Sequence, residues 1–505
     1  MRSLGLFRVL FGLVIVVDLL RRAPEFLLHY SNVGWLPNYV VLREPPSPHL
    51  FSAYFAASTP TQVWLLFALH LAAGCAFTLG YRTSIAHALV AVLSVSLNSR
   101  NVLLENGGMV VLNLLLVWTW FLPLGARFSW DAGMTAIAAP GVRRGQLRVV
   151  SLAAFALLMQ WFVIYFFNTV HKNGDAWKDG TALYYFLQQD RMVTGLGAAL
   201  RATLPLSWGK LLTWGALGLE AAIAILLVSP FAQNRARMLA LLLGVLLHSS
   251  IAACVELGPF SWVMMAGFVA LLPAGAWRGL QHRLGRCAPT TRWGRFLWAN
   301  VRSESRCNHG PTSGRSRLGG PRKHLSQSCV GLLLFVAVWQ LCIENQAVPA
   351  ALKPTQPEWV RAIVMTPRMF QGWSMFAPNP PQEDGKLVAF ARTVDGRSID
   401  VLTGRAPDFD VQPATGFGMS QATGDFHRRL AEPRFAGYLH GVRDYLLRYP
   451  ERTGHAADRL QYLELVYVSE IIPAPGTVRA PPRRQVLFQH DAAANAVLEL
   501  LRRSK

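Results

Sequence analysis

The densest run of chemically capable side chains in the sequence is Tyr165-Phe-Phe-Asn168-Thr-Val-His171-Lys172-Asn173-Gly-Asp175-Ala-Trp177-Lys178-Asp179-Gly180. It follows directly on a long apolar run. A lysine partly desolvated at the mouth of a helix bundle exists more readily as the neutral amine, and a neutral amine is a general base. The same residues have a plainer reading, because lysines and tryptophans at the end of an apolar helix reach back to the membrane interface and anchor it. Two more polar residues lie inside apolar runs: Glu220 in Leu217-Gly-Leu-Glu-Ala-Ala-Ile and His248 in Leu246-Leu-His-Ser-Ser-Ile. A carboxylate at membrane depth must be protonated or paired. Either residue lines a polar cavity or makes a hydrogen bond between helices. His70 and His87 have no polar neighbours in sequence and read as contacts.

The elements that must hold these residues are membrane helices. Of 505 residues, 52% are hydrophobic and only 15% charged; mean hydropathy is +0.28. Soluble domains carry roughly 25% charge, so a water-soluble enzyme and a disordered chain are both excluded. A bilayer core of about 30 Å needs roughly 20 apolar helical residues. About nine runs qualify, near Leu4–Leu20, Gln62–Leu79, Ile85–Leu97, Met109–Leu124, Val149–Val170, Leu211–Val228, Met238–Val255, Phe260–Pro273 and Cys329–Ile343. The third and eighth are short. Asp18-Leu-Leu-Arg21-Arg22 follows the first run where a signal peptide would have small residues, so that run is expected to be a retained span. The expected fold is an all-α polytopic transmembrane bundle over residues 1–346, with a small α+β domain outside the membrane over 355–505.

Charge sets the expected orientation. The segment Arg278 to Lys323 holds eleven Lys/Arg against Glu304 alone, which places it in the cytoplasm. Alternation then makes the Arg235/Arg237, Arg127–Arg148 and Arg82 loops cytoplasmic as well, and all are basic. Arg21 and Arg22 fall on the other side and dissent. The ninth span delivers the C-terminal domain to the non-cytoplasmic face. Residues 303–328, rich in Gly, Ser and Arg, read as a flexible cytoplasmic linker. Beyond Pro354, Asp395-Gly396 between two alternating segments predicts a type I′ hairpin, Phe435 to Tyr449 has helical spacing, and Leu460–Ile472 and Arg484–His490 read as strands. No internal repeat is found.

The net charge of +21 fits basic membrane loops, and no nucleic-acid partner is expected. Phosphate-binding, dinucleotide, serine-hydrolase and zinc-protease motifs are absent. Six cysteines, none in the last 160 residues, form no CxxC or Cys/His spacing, so neither a disulfide framework nor a metal site is expected.

Asn168-Thr-Val-His-Lys172-Asn-Gly-Asp-Ala-Trp177-Lys-Asp-Gly180 resembles the catalytic-lysine segment of vitamin K-dependent gamma-glutamyl carboxylase. His248 with Gly258-Pro-Phe260-Ser261-Trp262-Val263-Met264 is similar to another of its segments, at the same spacing. Glu220 falls where that enzyme has an intramembrane Asp, and Gly372-Trp373-Ser374-Met375-Phe376 resembles its stretch after the last span. The bacterial HTTM (horizontally transferred transmembrane domain) branch of this superfamily looks closer still. Phe7-Arg8-Val-Leu-Phe11-Gly12, Asn98-Ser-Arg100-Asn101 with Asn106-Gly107-Gly108, Pro123-Leu-Gly125-Ala-Arg127-Phe-Ser129 and Trp373-x-Met-Phe376-Ala-Pro378 all read like it.

The resemblance implies a lysine that deprotonates a reduced vitamin K-type quinone, after which oxygen adds and a strong base forms that removes a γ-proton from glutamate. Carried over, Lys172 is the base, and Glu220 and His248 line or orient the site. Trp177 and Trp262 are candidates to line a cofactor pocket. This sequence differs from the carboxylase at His171, where a second lysine stands there, and at Glu105-Asn106-Gly107-Gly108, where an Asn-Asn-His cluster stands. The resemblance also implies a bacterial inner (plasma) membrane protein whose partners are the lipid bilayer and a lipophilic quinone. Three functions compete: a quinone-directed, carboxylase-like enzyme, a non-enzymatic membrane module for lipid handling or partner assembly, and a transporter.

Overall fold

The structure, a computed structural model, describes residues 1–138, 149–284, 321–411 and 420–492. Each of the nine apolar runs falls on a helix: α1 Arg2–Arg22, α2 Pro60–Leu79, α3 Thr83–Arg100, α4 Gly107–Trp120, α5 Leu152–His171, α6 Leu206–Val228, α7 Gln233–Cys254, α8 Phe260–Ala270 and α9 Pro321–Glu344. Among the described residues, six helices are long and apolar enough to cross a membrane: Arg2–Tyr30, Pro60–Leu79, Leu152–His171, Leu206–Val228, Gln233–Cys254 and His324–Glu344. The count of about nine therefore reduces to six by this measure. Helices α4 and α8 are apolar but short. Helix α3 is diluted by Ser94, Ser96, Asn98, Ser99 and Arg100, all buried against neighbouring helices rather than facing lipid. Residues 303–320 of the expected linker lie outside the described residues; 321–328 are helical and begin α9.

The helices alternate between two ends. At one end Arg8 reaches across to the carbonyls of Phe77 and Thr78, 2.5 and 2.7 Å away, and to that of Phe128. These contacts satisfy carbonyls that a helix end leaves open. Trp277 donates to Ser3 there, and Leu152 to Gln327. At the other end lie Tyr30, Glu105, His171 and Glu344, together with the C-terminal sheet. Arg21 and Arg22, the dissenting basic pair, are each matched there by a carboxylate. Arg21 pairs with Glu256, and Arg22 lies 2.8 Å from Asp18 and 2.6 Å from the Tyr30 hydroxyl.

The C-terminal region forms one antiparallel sheet, ordered β2-β1-β3-β4, from β1 Glu383–Thr393, β2 Ser398–Asp400, β3 Leu460–Ile471 and β4 Arg483–Asp491. The β1–β2 hairpin turns at Asp395-Gly396, though not as type I′. Only Gly396 has positive φ (+83°), and its N–H bonds Thr393 O at 3.0 Å. That is a tight turn followed by a left-handed glycine. The cause is Asp395, whose carboxylate is held by Thr393 Oγ1 and, at 2.7 Å, by Arg397 Nε, so it stays in an ordinary conformation. Helix Gln421–Leu430, unforeseen in the sequence, is capped by Ser420 and seats Phe426 against Trp35 with ring centres 4.4 Å apart. One continuous apolar core thus runs from Phe26 and Trp35 of the bundle through Phe426 into Leu463 and Leu465 of the sheet.

Candidate functional site

Helix α5 brings Tyr165, Asn168 and Lys172 onto one face, since offsets of three and seven residues nearly complete whole turns. Lys172 is the first residue past the helix, at φ −77° and ψ 58°, a position where a cation also meets the negative end of the helix dipole. Helix α6 presents Glu220 on its buried stripe with Thr213, Ile223 and Leu227, and α7 presents His248 on its own with Gly244 and Leu247. Gly244 is needed there: a Cβ would stand 2.3 Å from the ring of Phe268, which packs on Trp161 and Tyr165.

Lys172 and Glu220 meet. Lys172 Nζ lies 2.6 Å from both Glu220 carboxylate oxygens, and the side chains are 5% and 8% exposed. Asn168 Nδ2 donates to Glu220 Oε1 at 3.1 Å. Trp177 caps the amine, its ring centre 4.5 Å from Nζ. His248 joins two turns deeper along α5, its Nε2 2.6 Å from the Tyr165 hydroxyl. The lysine expected to be neutral through desolvation alone thus has a carboxylate partner, and Glu220 is of the paired kind. Asn168 Oδ1 and His248 Nδ1, both buried, have no hydrogen-bond partner among the described residues.

Of the two tryptophans expected to line a cofactor pocket, Trp177 lies over Lys172 and Trp262 lies away from it. Trp262 is 51% exposed on the outer face of α8, because Phe260, Ser261, Val263 and Met264 take the inward positions. His70 and His87 make the plain contacts foreseen for them, with Ser94 Oγ and Leu116 O.

The segment Gln371–Asn379 roofs the cluster. Trp177 Nε1 donates to Phe376 O at 2.9 Å, Gly174 N to Pro378 O at 3.0 Å, and Ala176 N to Asn379 Oδ1 at 3.0 Å. His171 accepts from Ala347 N at Nε2, which leaves Nδ1 to donate to Trp373 O at 2.8 Å. This residue is therefore committed as a structural link between α5 and the segments around Ala347 and Trp373. Gln371, Gln160, Trp118 and Trp373 form a buried amide network beneath. Sequence reasoning included Tyr165 in the polar run without giving it a role, and did not select the glutamines. Tyr165 had a signal, its seven-residue offset from Lys172; the glutamine pairing has none that one chain displays.

The model of the HTTM domain matches residues 1–277, more than half of the chain, including Lys172, Glu220 and His248. The chain belongs to the HTTM domain family. Over 123 residues this HTTM protein is 33% identical to the uncharacterized protein YitO of Bacillus subtilis (strain 168), which covers 24% of this chain and 38% of YitO. It therefore spans well under half the length of that relative. No solved structure matches. With its apolar helices, this HTTM protein is a multi-pass integral membrane protein.

Proposed function

We propose that the chain is a membrane enzyme whose Lys172–Glu220 pair takes a proton from a lipophilic quinol. The observation that carries this reading is the buried pair itself. Two charges withdrawn from water cost more than their attraction returns unless geometry and hydrogen bonds are favourable, and ionisable groups at membrane depth mark sites of proton or substrate handling. Along the 2.6 Å contact, a proton can pass from Lys172 Nζ to Glu220, leaving a neutral amine beside a neutral acid. A low-dielectric site tolerates that state better than water does. The amine can then accept a proton from a substrate hydroxyl, and the pair gains one positive charge that favours an anion next to it. A reduced vitamin K-type quinone, when bound, supplies the acidic hydroxyl and the redox chemistry. The residues present fit its two hydroxyls through the unpartnered Asn168 Oδ1 and His248 Nδ1. Trp177 and the Gln371–Asn379 roof keep water from the amine.

The test is Lys172→Arg in proteoliposomes supplied with a reduced menaquinone. Arginine keeps the charge and the ion pair but does not release a proton at physiological pH. Insertion should be unchanged and quinol consumption should fall on the order of a hundredfold. Equal consumption by both proteins removes Lys172 from catalysis. The non-enzymatic module is the second reading. It is favoured by the same contact seen as a latch between α5 and α6, and it predicts no quinol consumption in either protein.

For topology we propose nine crossings in a bacterial inner membrane, with residues 278–323 cytoplasmic and the C-terminal sheet outside. Reporter fusions after Arg306 and after Lys505 should report opposite sides. Both on one side would overturn the count.

A further inference from the structure

Apart from the Lys172 site, a cleft of about 390 Å3 opens where the first membrane helix meets the C-terminal region, lined by Leu27, Leu28, Val33, Tyr445, Arg448, Glu451 and Arg452. Its floor is apolar and comes from the end of the 29-residue run Arg2–Tyr30. Its continuous helix Arg2–Arg22 extends about 31 Å, the thickness of the hydrocarbon core, and the short helix Phe26–Tyr30 follows it after a tight turn at Ala23–Glu25. Leu27 and Leu28 therefore stand at headgroup level. Beside them Val33 is 44% exposed, an apolar side chain that suits the acyl boundary better than water.

The wall above this floor is cationic. Arg448 and Arg452 lie one turn apart on the segment Leu439–Thr453. Arg452 is held over the Tyr445 ring with 3.9 Å to the ring centre, and 5.6 Å from that of Tyr449. Partial burial, followed by the neighbouring Arg448 cation, lowers the proton affinity of its guanidinium from the ordinary value. Two like charges fixed side by side are relieved by an anion between them. Glu451 contributes the one carboxylate of the cleft and leaves it net positive. Guanidinium groups match phosphate oxygens by forked hydrogen bonds.

We propose that this cleft binds the phosphate headgroup of an anionic phospholipid in the leaflet on the sheet side, with Arg448 and Arg452 on the phosphate and Leu27, Leu28 and Val33 beneath the glycerol and upper acyl chain. The charge above and the grease below at headgroup depth argue for a lipid rather than a free anion.

The experiment uses the full chain extracted from nanodiscs of mixed phosphatidylglycerol and phosphatidylcholine, with retained lipid counted by native mass spectrometry. Phosphatidylglycerol should be retained over phosphatidylcholine. The double variant Arg448→Gln/Arg452→Gln should lose roughly tenfold or more of that preference, while still inserting and unfolding in a single cooperative transition. Glu451→Gln should retain more phosphatidylglycerol than the parent. Inorganic phosphate at millimolar concentration should not displace the lipid. Unchanged retention in the double variant overturns the proposal, and so does displacement by inorganic phosphate, which would mark a free-anion site.

Discussion

Glu220→Ala is expected to destabilise the folded protein by about 3–5 kcal/mol, because it strands the Lys172 ammonium in a buried place without a partner. Here the two side chains are at most 8% exposed, and the remaining neighbours, Asn168 and the Trp177 ring, do not replace a carboxylate. Removing both charges should behave differently. Lys172→Met/Glu220→Leu keeps volume and removes the need for pairing, so it should recover most of the loss. Unfolding in mild detergent, followed by heat or by titrated dodecyl sulfate, measures both. A Glu220→Ala variant that melts like the parent would show that water or lipid headgroups already reach Lys172. A double variant that is stable yet inactive towards quinol would separate catalysis from latching.

The second large effect concerns the attachment of the sheet. Arg191 lies between α5 and α6, in the loop that joins the short helices Ala182–Leu187 and Gly195–Thr203. It is 7% exposed, with Nε 3.2 Å from Asp384 Oδ1 and Nη1 2.7 Å from Asp425 Oδ1. Asp384 begins the long strand β1 and Asp425 lies on helix Gln421–Leu430, so one guanidinium joins the bundle to two elements of the C-terminal region. Arg191→Met should cost about 3–5 kcal/mol at neutral pH, since two carboxylates lose their counter-charge. The loss should depend on pH. Burial pushes Asp384 up to about 6 even against the pull of Arg191. Its folded form therefore binds protons more tightly than the unfolded chain, and stability falls as pH rises through that range. Without Arg191 the deficit should shrink as pH is lowered from 8 through 6 and Asp384 takes a proton. Melting curves across that range decide it, and a deficit independent of pH would mean that Asp384 is not the group left uncompensated.

The sequence carried the bundle clearly because lipid-facing helices must be apolar along their length, and each of the nine runs is helical. Among the described residues, six of them are long and apolar enough to cross a membrane by length and composition. Helix α3 shows why one falls outside that measure: Asn98, Ser99 and Arg100 are buried by neighbouring helices, and a one-dimensional count does not distinguish inward from outward polarity. Strands β1, β3 and β4 were legible from alternation. Helix Gln421–Leu430 was not, since its buried side chains include Gln421, Thr423, Asp425 and His427, and the last three have partners remote in sequence. At the site, Lys172, Glu220 and His248 stood out as polar residues in apolar surroundings. Their pairing did not, because which helix faces meet depends on close approaches that one chain does not display, such as those at Gly244 of α7 against Phe268 and Gly267 of α8 against Trp161. A Cβ on Gly267 would come within 2.1 Å of the Trp161 ring.

The roof over Lys172 has a consequence for biogenesis. The lysine, its carboxylate and the histidine all belong to the first 277 residues, whereas the backbone that covers them, Phe376 to Asn379, leaves the ribosome about a hundred residues later. At roughly 5–20 residues per second, the nascent bundle spends several seconds with its amine uncovered. During that interval the amine is open to water and to whatever amphiphile is nearby, until Phe376 to Asn379 arrive. Loading during synthesis, rather than afterwards, then becomes an available route into the site.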